Sequence, residues 1–258
     1  MRVASVGHAV FAATMVALGV LGLIQGGFAP IWDSVPKGLP ARAALAYLCT
    51  LVSLACGIAL FWRRTAAAAA RALFVYLLLW LLAFKARFIL TGPLVEGSYQ
   101  ACGETAVLVA GAWVLYAWFA SDCDRRRVGF AVGESGLRLA RMLYGLALIA
   151  FGLSHFVYLD MTAPLVPAWL PGHTFWAYFS GAAYIAAGLA VICNVLARLA
   201  ATLSALEMGL LTLLVWIPIV AAGSKDPSQW SETVLSWALT AAGWVVADSY
   251  RVTPKRTP

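Results

Sequence analysis

Long apolar runs are the feature that most limits what this chain can fold into. A helix that crosses a bilayer needs about 20 mainly apolar residues. The chain is 63% hydrophobic and 11% charged, whereas a soluble domain carries about 25% charged residues. The runs predicted as transmembrane helices cover roughly residues 4–29, 42–62, 67–90, 104–120, 137–159, 173–196, 199–222 and 232–249. The sequence therefore predicts an all-α, multi-pass membrane protein of eight helices, with almost no residues left for a soluble domain.

The positive charges fall mainly at alternate ends of these runs. Lys and Arg are enriched in the cytoplasmic loops of membrane proteins. Of the 18 Lys and Arg residues, those predicted on the outer side are Lys37, Arg42, Lys85, Arg87 and Lys225. The others lie on the opposite side, which predicts that both termini are in the cytoplasm. The net charge of +7 follows from this topology and does not indicate nucleic-acid binding.

The side chains near the predicted surfaces give two more specific expectations. Lys85 and Arg87 are predicted to end the third helix and to extend toward the outer surface, as long basic side chains do near helix ends. Cys102 is predicted on the outer side of the membrane and Cys123 on the cytoplasmic side, so the two cannot form a disulfide across the bilayer. The spacing of the five cysteines does not indicate a metal site.

Two parts of the sequence match each other. The matching pairs are Val35-Pro36 with Val166-Pro167, Leu39-Pro40 with Leu170-Pro171, Ala46-Tyr47 with Ala177-Tyr178, Gly57 with Gly188, and Glu104-Thr105 with Glu232-Thr233. The chain is predicted to contain two four-helix repeats, 1–121 and 136–250, with a cytoplasmic linker at 122–135 and a basic tail at 251–258. Because four is even, both repeats enter the membrane from the same side and form a parallel pair.

Glu207 is predicted near the middle of the membrane. It follows Arg198 by nine residues, which places it ~13 Å farther along the same helix. A carboxyl group at this depth is costly and usually faces a cavity or a partner. Arg71, on the equivalent helix of the first repeat, is the predicted partner. The sequence leaves open whether Glu207 is a neutral group that ties helices together, a proton relay or a substrate contact.

Two histidines flank a proline-rich turn on the predicted outer side. His155 lies before this turn, His173 lies after it, and Asp160 lies between them. Imidazole titrates near neutral pH and can pass a proton or bind a metal ion. His155, Asp160 and His173 are therefore a candidate outer-face cluster, with a hydrogen-bonded structural histidine as the alternative for His155.

Aromatic residues lie at two levels of the predicted membrane. Trp169 and Trp176 flank the proline-rich turn, as expected for a belt at the lipid headgroups. Trp216 lies deeper and fits either a flat apolar pocket or the packed core. The chain has no Walker motif, GxGxxG, HExxH or CxxCH, which disfavours nucleotide, zinc-protease and covalent-haem chemistry.

The motifs GLSHF, VPAWLP and FWAYFSGAAYIAAG resemble the DoxX-like family of small four-helix membrane proteins. The resemblance covers roughly residues 137–222 well and the first repeat weakly. Family members are linked with quinone-dependent redox systems. The motif residues are His155, Phe156, Pro167, Trp169, Pro171, Trp176, Tyr178, Gly181 and Gly188. Where the second helix of the family often has a Glu, this chain has Tyr184. It therefore lacks the carboxylate that catalysis through this Glu would need.

The resemblance implies a quinone-associated redox component or accessory subunit of the bacterial inner membrane, without an intrinsic cofactor. Its expected partners are membrane lipids, quinone and a partner oxidoreductase. The alternatives are a small-solute transporter or channel that uses an intramembrane Glu, and a non-catalytic scaffold, so the sequence leaves open whether the protein is an enzyme. The candidate catalytic residues are His155, Glu207, Asp160 and His173, and the candidate binding residues are Arg71, Phe156, Pro167, Trp169, Trp176, Tyr178, Tyr184 and Trp216.

Overall fold

The computed structural model describes residues 4–32 and 35–251, and the regular secondary structure within these ranges is helical. The long helices in this part of the chain are α1 Val6–Gln25, α2 Arg42–Ala59, α3 Ala66–Thr91, α4 Glu96–Phe119, α5 Gly133–Val157, α6 His173–Ile192, α7 Ala197–Ala221 and α8 Pro227–Asp248. Apart from Arg251, the predicted basic tail lies outside the described residues.

Helices α1 to α7 are long and apolar enough to cross a membrane. The all-α, multi-pass prediction is therefore confirmed for seven helices of the described chain. Helix α8 has 22 residues, or ~33 Å at 1.5 Å per residue, but it is less apolar. It packs against α1, α4 and α7, and its second half is buried, so protein rather than lipid surrounds much of it.

Two helices begin five or more residues earlier than the apolar runs predicted. Helix α4 starts at Glu96 rather than near residue 104, and α8 starts at Pro227 rather than near residue 232. In α4, the first turns are polar because Gln100 and Glu104 face an internal cavity. In α8, Asp226 caps the helix by accepting a hydrogen bond from the Ser228 amide at 2.9 Å, an arrangement that favours helix initiation.

Neighbouring helices pack in a regular order. Helix α1 packs against α2 and α8. Helix α5 packs against α4 and α6, and α4 also contacts α8. Small residues allow the closest approach between transmembrane helices. A Cβ atom added to Gly152 of α5 would lie 2.5 Å from the carbonyl oxygen of Gly181 on α6. This contact fixes α6 against the turn of α5 that carries His155.

A π-helical segment interrupts α3 and another interrupts α7, at Leu81–Lys85 and Thr212–Trp216. A π turn inserts an extra residue and so rotates the side chains that follow it. In a regular α-helix, the next buried residue after Trp80 would be residue 84. The π turn places Lys85 there instead, five positions after Trp80. Lys85 is only 9% exposed, so the prediction that it extends outward is wrong. Helix α3 also continues past it to Thr91.

The predicted cytoplasmic linker contains the short helix Asp122–Arg127, which brings an acidic side chain next to α3. Ser121 caps this helix, and Asp124 accepts a hydrogen bond from the Ser121 amide at 3.0 Å. Arg71 Nη1 lies 2.9 Å from Asp124 Oδ1. Arg71 thus pairs with Asp124 and not with Glu207 as predicted, because both Arg71 and Asp124 lie at the same end of the bundle.

Candidate functional site

A cavity of about 100 Å³ lies between α4, α5, α6, α7 and α8. Its polar lining residues are Gln100, Glu104, Ser154, His155, Glu232 and Ser236. Glu104 lies ~12 Å from the start of α4, and Glu232 ~8 Å from the start of α8. His155 lies near the end of α5. The cavity is therefore in the half of the bundle predicted to face outward.

Aromatic side chains complete the walls of this cavity. They are Phe151 of α5, Tyr184 of α6 and Trp216 of α7. The rings of Phe151 and Tyr184 meet edge to face, with their centroids 6.2 Å apart. Tyr184 is 2% exposed. The cavity therefore combines flat apolar surfaces with a few convergent polar groups, but at about 100 Å³ it is smaller than the roughly 300–1,000 Å³ of drug-sized ligand sites.

Three charged side chains meet at one edge of the cavity. The Lys85 ammonium lies 3.5 Å from Glu104 Oε2, and the two side chains are 11% and 18% exposed. Glu232 has neither a hydrogen bond nor an ion pair within the part of the chain that the structure describes. The Lys85 ammonium also acts electrostatically on the carboxyl group of Glu232, so the two carboxyl groups share one positive charge.

Lys85 is held in place by α4 as well as by its π segment. Cys102 of α4 donates a hydrogen bond from Sγ to the Lys85 carbonyl oxygen at 3.1 Å. Cys102 is buried within α4, so it does not lie in the loop before this helix, where the apolar runs placed it. It lies within α4 because this helix begins two turns earlier than predicted.

The orientation of the His155 ring follows from a hydrogen bond within α5. His155 Nδ1 lies 2.7 Å from the Phe151 carbonyl oxygen. Because a carbonyl oxygen can only accept, Nδ1 carries the proton and donates. In the neutral ring, Nε2 is then a hydrogen-bond acceptor. The His155 ring also lies 5.8 Å from the ring of Tyr184.

The predicted cluster of His155, Asp160 and His173 does not form at this cavity. His155 lines the cavity, but Asp160 and His173 do not. Asp160 is exposed on the short helix Leu159–Thr162, and His173 is the first residue of α6. Glu207 also lies away from the cavity lining and interacts with the hydroxyl of Ser180 on α6. The described residues contain no group of three or more His, Cys, Asp or Glu that could hold a metal ion.

Most of the predicted binding residues lie on the surface around the proline-rich turn. The rings of Phe156 and Tyr178 are 5.4 Å apart, and both side chains are exposed. Trp169 is 71% exposed, whereas Trp176 Nε1 donates to the Pro171 carbonyl oxygen at 3.1 Å. Pro167 is half-buried.

The aromatic and proline residues of the turn are therefore separate from the cavity. Of the predicted binding residues, Tyr184 and Trp216 line it.

Sequence reasoning missed Glu104, Glu232 and Lys85 as site residues. The two glutamates belong to the match between the repeats, and the same acid at matching positions in two apolar segments is itself a signal of an internal site. Lys85 carried no such signal, because apolar periodicity does not predict a π turn.

A second, apolar cavity of about 360 Å³ lies between α1, α7 and α8. Leu18, Leu21, Ile217 and Val234 contribute to its lining. Between this apolar cavity and the first cavity, the Thr212 hydroxyl donates a hydrogen bond to the Ser236 hydroxyl at 2.9 Å. The contact between α7 and α8 therefore separates a polar cavity from an apolar one.

Comparison with known families gives one match, to the model described as "Domain of unknown function (DUF8561)", over residues 144–248. This segment is less than half of the chain, and it contains His155, Tyr184, Trp216 and Glu232 but neither Lys85 nor Glu104. No curated protein and no solved structure matches the chain. The matched description assigns no activity, so the function must be argued from the cavity.

Proposed function

We propose that this chain is a quinone-associated redox component, or an accessory subunit, of a bacterial inner-membrane oxidoreductase, related to the DoxX-like family. The observation that carries the proposal is the cavity in which His155 and Glu232 face three aromatic rings. A quinone head group is a flat ring with polar oxygens at opposite edges, and it partitions between lipid and the membrane surface. A cavity with apolar walls and a few polar groups near one end of a helix bundle suits such a ligand.

The roles of the lining residues follow from their chemistry. Phe151, Tyr184 and Trp216 offer surfaces against which a ring can pack. His155 and Glu232 offer polar atoms for the ring oxygens. When bound, quinone supplies the two-electron redox chemistry, and a partner oxidoreductase supplies the other redox centre. The chain itself binds and orients the head group and excludes water from it.

The proposed architecture has eight membrane-spanning helices in two repeats, with α8 as the eighth. The positions of the two π segments support this. The number of residues between them equals the number between Gly57 and Gly188, which are a matching pair in the predicted repeats. In this register, Trp80 of α3 matches Leu211 of α7. The ring centroids of Trp80 and Trp32 are 4.9 Å apart. In the first repeat, the Trp80 ring therefore fills the position at which Leu211 borders the cavity in the second repeat.

Quinone binding tests the proposal. The full chain, purified in mild detergent, is expected to retain quinone that can be extracted with its lipids. The variant Leu211→Trp copies Trp80 and fills the cavity, so it is expected to retain at least ~10-fold less quinone while still folding. Asp160→Asn removes an acid on the same side but away from the cavity, and serves as the matched control.

Absence of quinone from the wild type, together with unchanged quinol-dependent respiration in His155→Ala cells, would reject the proposal.

A small-solute transporter or channel is the second candidate, and the carboxyl group of Glu232 in the cavity lining favours it. In sealed vesicles that contain the protein and a pH-sensitive dye, this function predicts proton flux after an acid pulse. The flux should be lost in Glu232→Gln and kept in Asp160→Asn. Flux that persists in Glu232→Gln, or no flux above protein-free vesicles, would reject this candidate.

A further inference from the structure

We infer that residues 121–131, between α4 and α5, form a docking site for the anionic headgroups of membrane phospholipids. This segment lies at the end of the bundle opposite to the cavity, and the inference is independent of the proposed quinone function. It follows from the way in which the segment folds back against the bundle and from the side chains that it leaves exposed.

Asp124 fixes the first part of this segment against the bundle. The chain turns back after α4 ends at Phe119, and Asp124 accepts a hydrogen bond from the Tyr116 hydroxyl at 3.2 Å. Asp124 also pairs with Arg71, whose Nη1 lies 2.9 Å from Oδ1. Arg71 is the sixth residue of α3, ~8 Å along the helix axis from the first. The short helix Asp122–Arg127 therefore lies beside the ends of α3 and α4 and does not project into the water.

A second contact fixes the other end of the segment deeper along the bundle. The indole nitrogen of Trp113 donates a hydrogen bond to the Ala131 carbonyl oxygen at 2.8 Å. Trp113 lies six residues before the end of α4 at Phe119, or ~9 Å along the helix axis. Phe130, which precedes Ala131, is 71% exposed. An exposed aromatic ring at this depth suits the boundary between lipid headgroups and acyl chains.

Three consecutive arginines are left exposed between these two contacts. Arg125, Arg126 and Arg127 are exposed, and within the described residues their guanidinium groups form no hydrogen bond or ion pair, not even with the exposed Asp122 on the same helix. Successive residues of an α-helix are rotated by ~100°, so Arg126 lies on the face opposite to Asp124. The exposed face of the short helix therefore carries more positive than negative charge.

These features fit a bilayer surface that contains anionic phospholipid. Guanidinium groups form short, charge-assisted hydrogen bonds with phosphate oxygens, and basic side chains next to a membrane attract anionic lipids. The arginines lie at the level of the helix ends, where headgroups are found, while Phe130 reaches the upper part of the acyl chains. An acidic protein or a nucleic acid could also pair with the arginines, but it offers no apolar layer for Phe130. The arrangement therefore favours a lipid surface.

Lipid binding by the purified full chain tests the inference. The probes are phosphatidylglycerol and phosphatidylcholine with the same palmitoyl and oleoyl chains, added to the protein in a nonionic detergent and counted by native mass spectrometry. The first bound lipid is expected to have at least a ~10-fold lower Kd for phosphatidylglycerol than for phosphatidylcholine. In the triple variant Arg125→Gln, Arg126→Gln, Arg127→Gln, this preference is expected to fall at least ~5-fold. If the triple variant does not elute as a folded protein on size exclusion, Arg126→Gln alone replaces it, with a change in the same direction.

Two further variants make the test specific. Arg64, Arg138 and Arg198 are exposed at the same end of the bundle, so changing these three to Gln removes the same charge away from the short helix and is expected to keep the preference. Phe130→Ser keeps every charge and is expected to weaken the binding of both lipids at least ~3-fold, because apolar contact with the acyl chains is lost.

Each opposing result would overturn the inference. Equal Kd values for the two lipids in the wild type would show that the headgroup charge is not recognised. An equal loss of preference in the two triple variants would show that net charge alone attracts the lipid. Unchanged binding in Phe130→Ser would show that the segment does not touch acyl chains. Displacement of phosphatidylglycerol by glycerol 1-phosphate at equal concentration would identify a site for soluble phosphate, and displacement by poly-glutamate at equal charge would identify an acidic protein partner.

Discussion

Arg71 and Asp124 form an ion pair of 2.9 Å in which the acid is buried and the base is half exposed. Asp124 also accepts hydrogen bonds from the Tyr116 hydroxyl at 3.2 Å and the Ser121 hydroxyl at 2.6 Å. These contacts join α3, the end of α4 and the short helix Asp122–Arg127. The hydrogen bonds from Ser121, followed by those from Arg71, lower the pKa of Asp124 to about 2.

The depressed pKa of Asp124 predicts a specific pH dependence of stability. Because the folded pKa is below the unfolded value, the ionised carboxylate stabilises the fold above about pH 4, and this contribution is lost as the pH falls toward about 2. Thermal unfolding in detergent should show wild type above Asp124→Asn in Tm at about pH 6. The difference should shrink between about pH 4 and pH 2, and a constant difference would contradict the assignment.

The ion pair between Lys85 and Glu104 predicts strong coupling between the two positions. Lys85→Met leaves a largely buried carboxylate without its partner, which is expected to destabilise the protein by about 3 kcal/mol. The double variant Lys85→Met, Glu104→Gln removes both charges and is expected to recover most of that loss. Denaturant unfolding of the two single variants and the double variant measures this coupling. Losses that simply add would show that the pair is not an energetic unit.

The close contact of α5 and α6 predicts that a single methyl group is disruptive there. In Gly152→Ala the new Cβ would lie 2.5 Å from the Gly181 carbonyl oxygen, so the helices must move apart. Overpacking of this kind costs about 1–3 kcal/mol. Gly129→Ala is the matched control, because nothing lies within 4 Å of its Cβ position. Equal Tm values for the two variants would argue against this contact.

The helices themselves could be predicted from the sequence because lipid-facing surfaces must be apolar. Seven of the eight predicted runs correspond to helices that are long and apolar enough to cross a membrane. Polarity obscured the first turns of α4 and the start of α8, since residues such as Glu104 and Glu232 face a cavity. A hydropathy pattern averages over the helix surface, so it cannot separate a polar residue inside the bundle from one in water.

The site was predicted in part, and the errors have physical causes. His155, Tyr184 and Trp216 do line one cavity, because they lie at the ends or on the inner faces of apolar helices. Glu207 was singled out for its depth, yet depth along a helix does not tell which face a side chain occupies. Lys85 could not have been placed, because a π turn changes the face of every residue that follows it.

The orientation of the protein in the membrane can be tested with exposed cysteines. Cys102 is buried and unsuited to labelling, whereas Cys123 is exposed on the short helix at the predicted cytoplasmic end. Leu94, in the turn between α3 and α4, is 99% exposed. Leu94→Cys in a chain otherwise free of cysteine therefore gives a reporter for the opposite end.

The positive charges predict how these two reporters react. An impermeant maleimide is expected to label the Leu94→Cys variant in intact cells. It is expected to label a chain that keeps only Cys123 only after the cells are lysed. A chain without cysteine gives the background. If Cys123 reacts in intact cells and the Leu94→Cys variant does not, the orientation is inverted. His155 and Glu232 would then lie in the half of the membrane next to the cytoplasm, and any quinone bound there would exchange its protons with the cytoplasm.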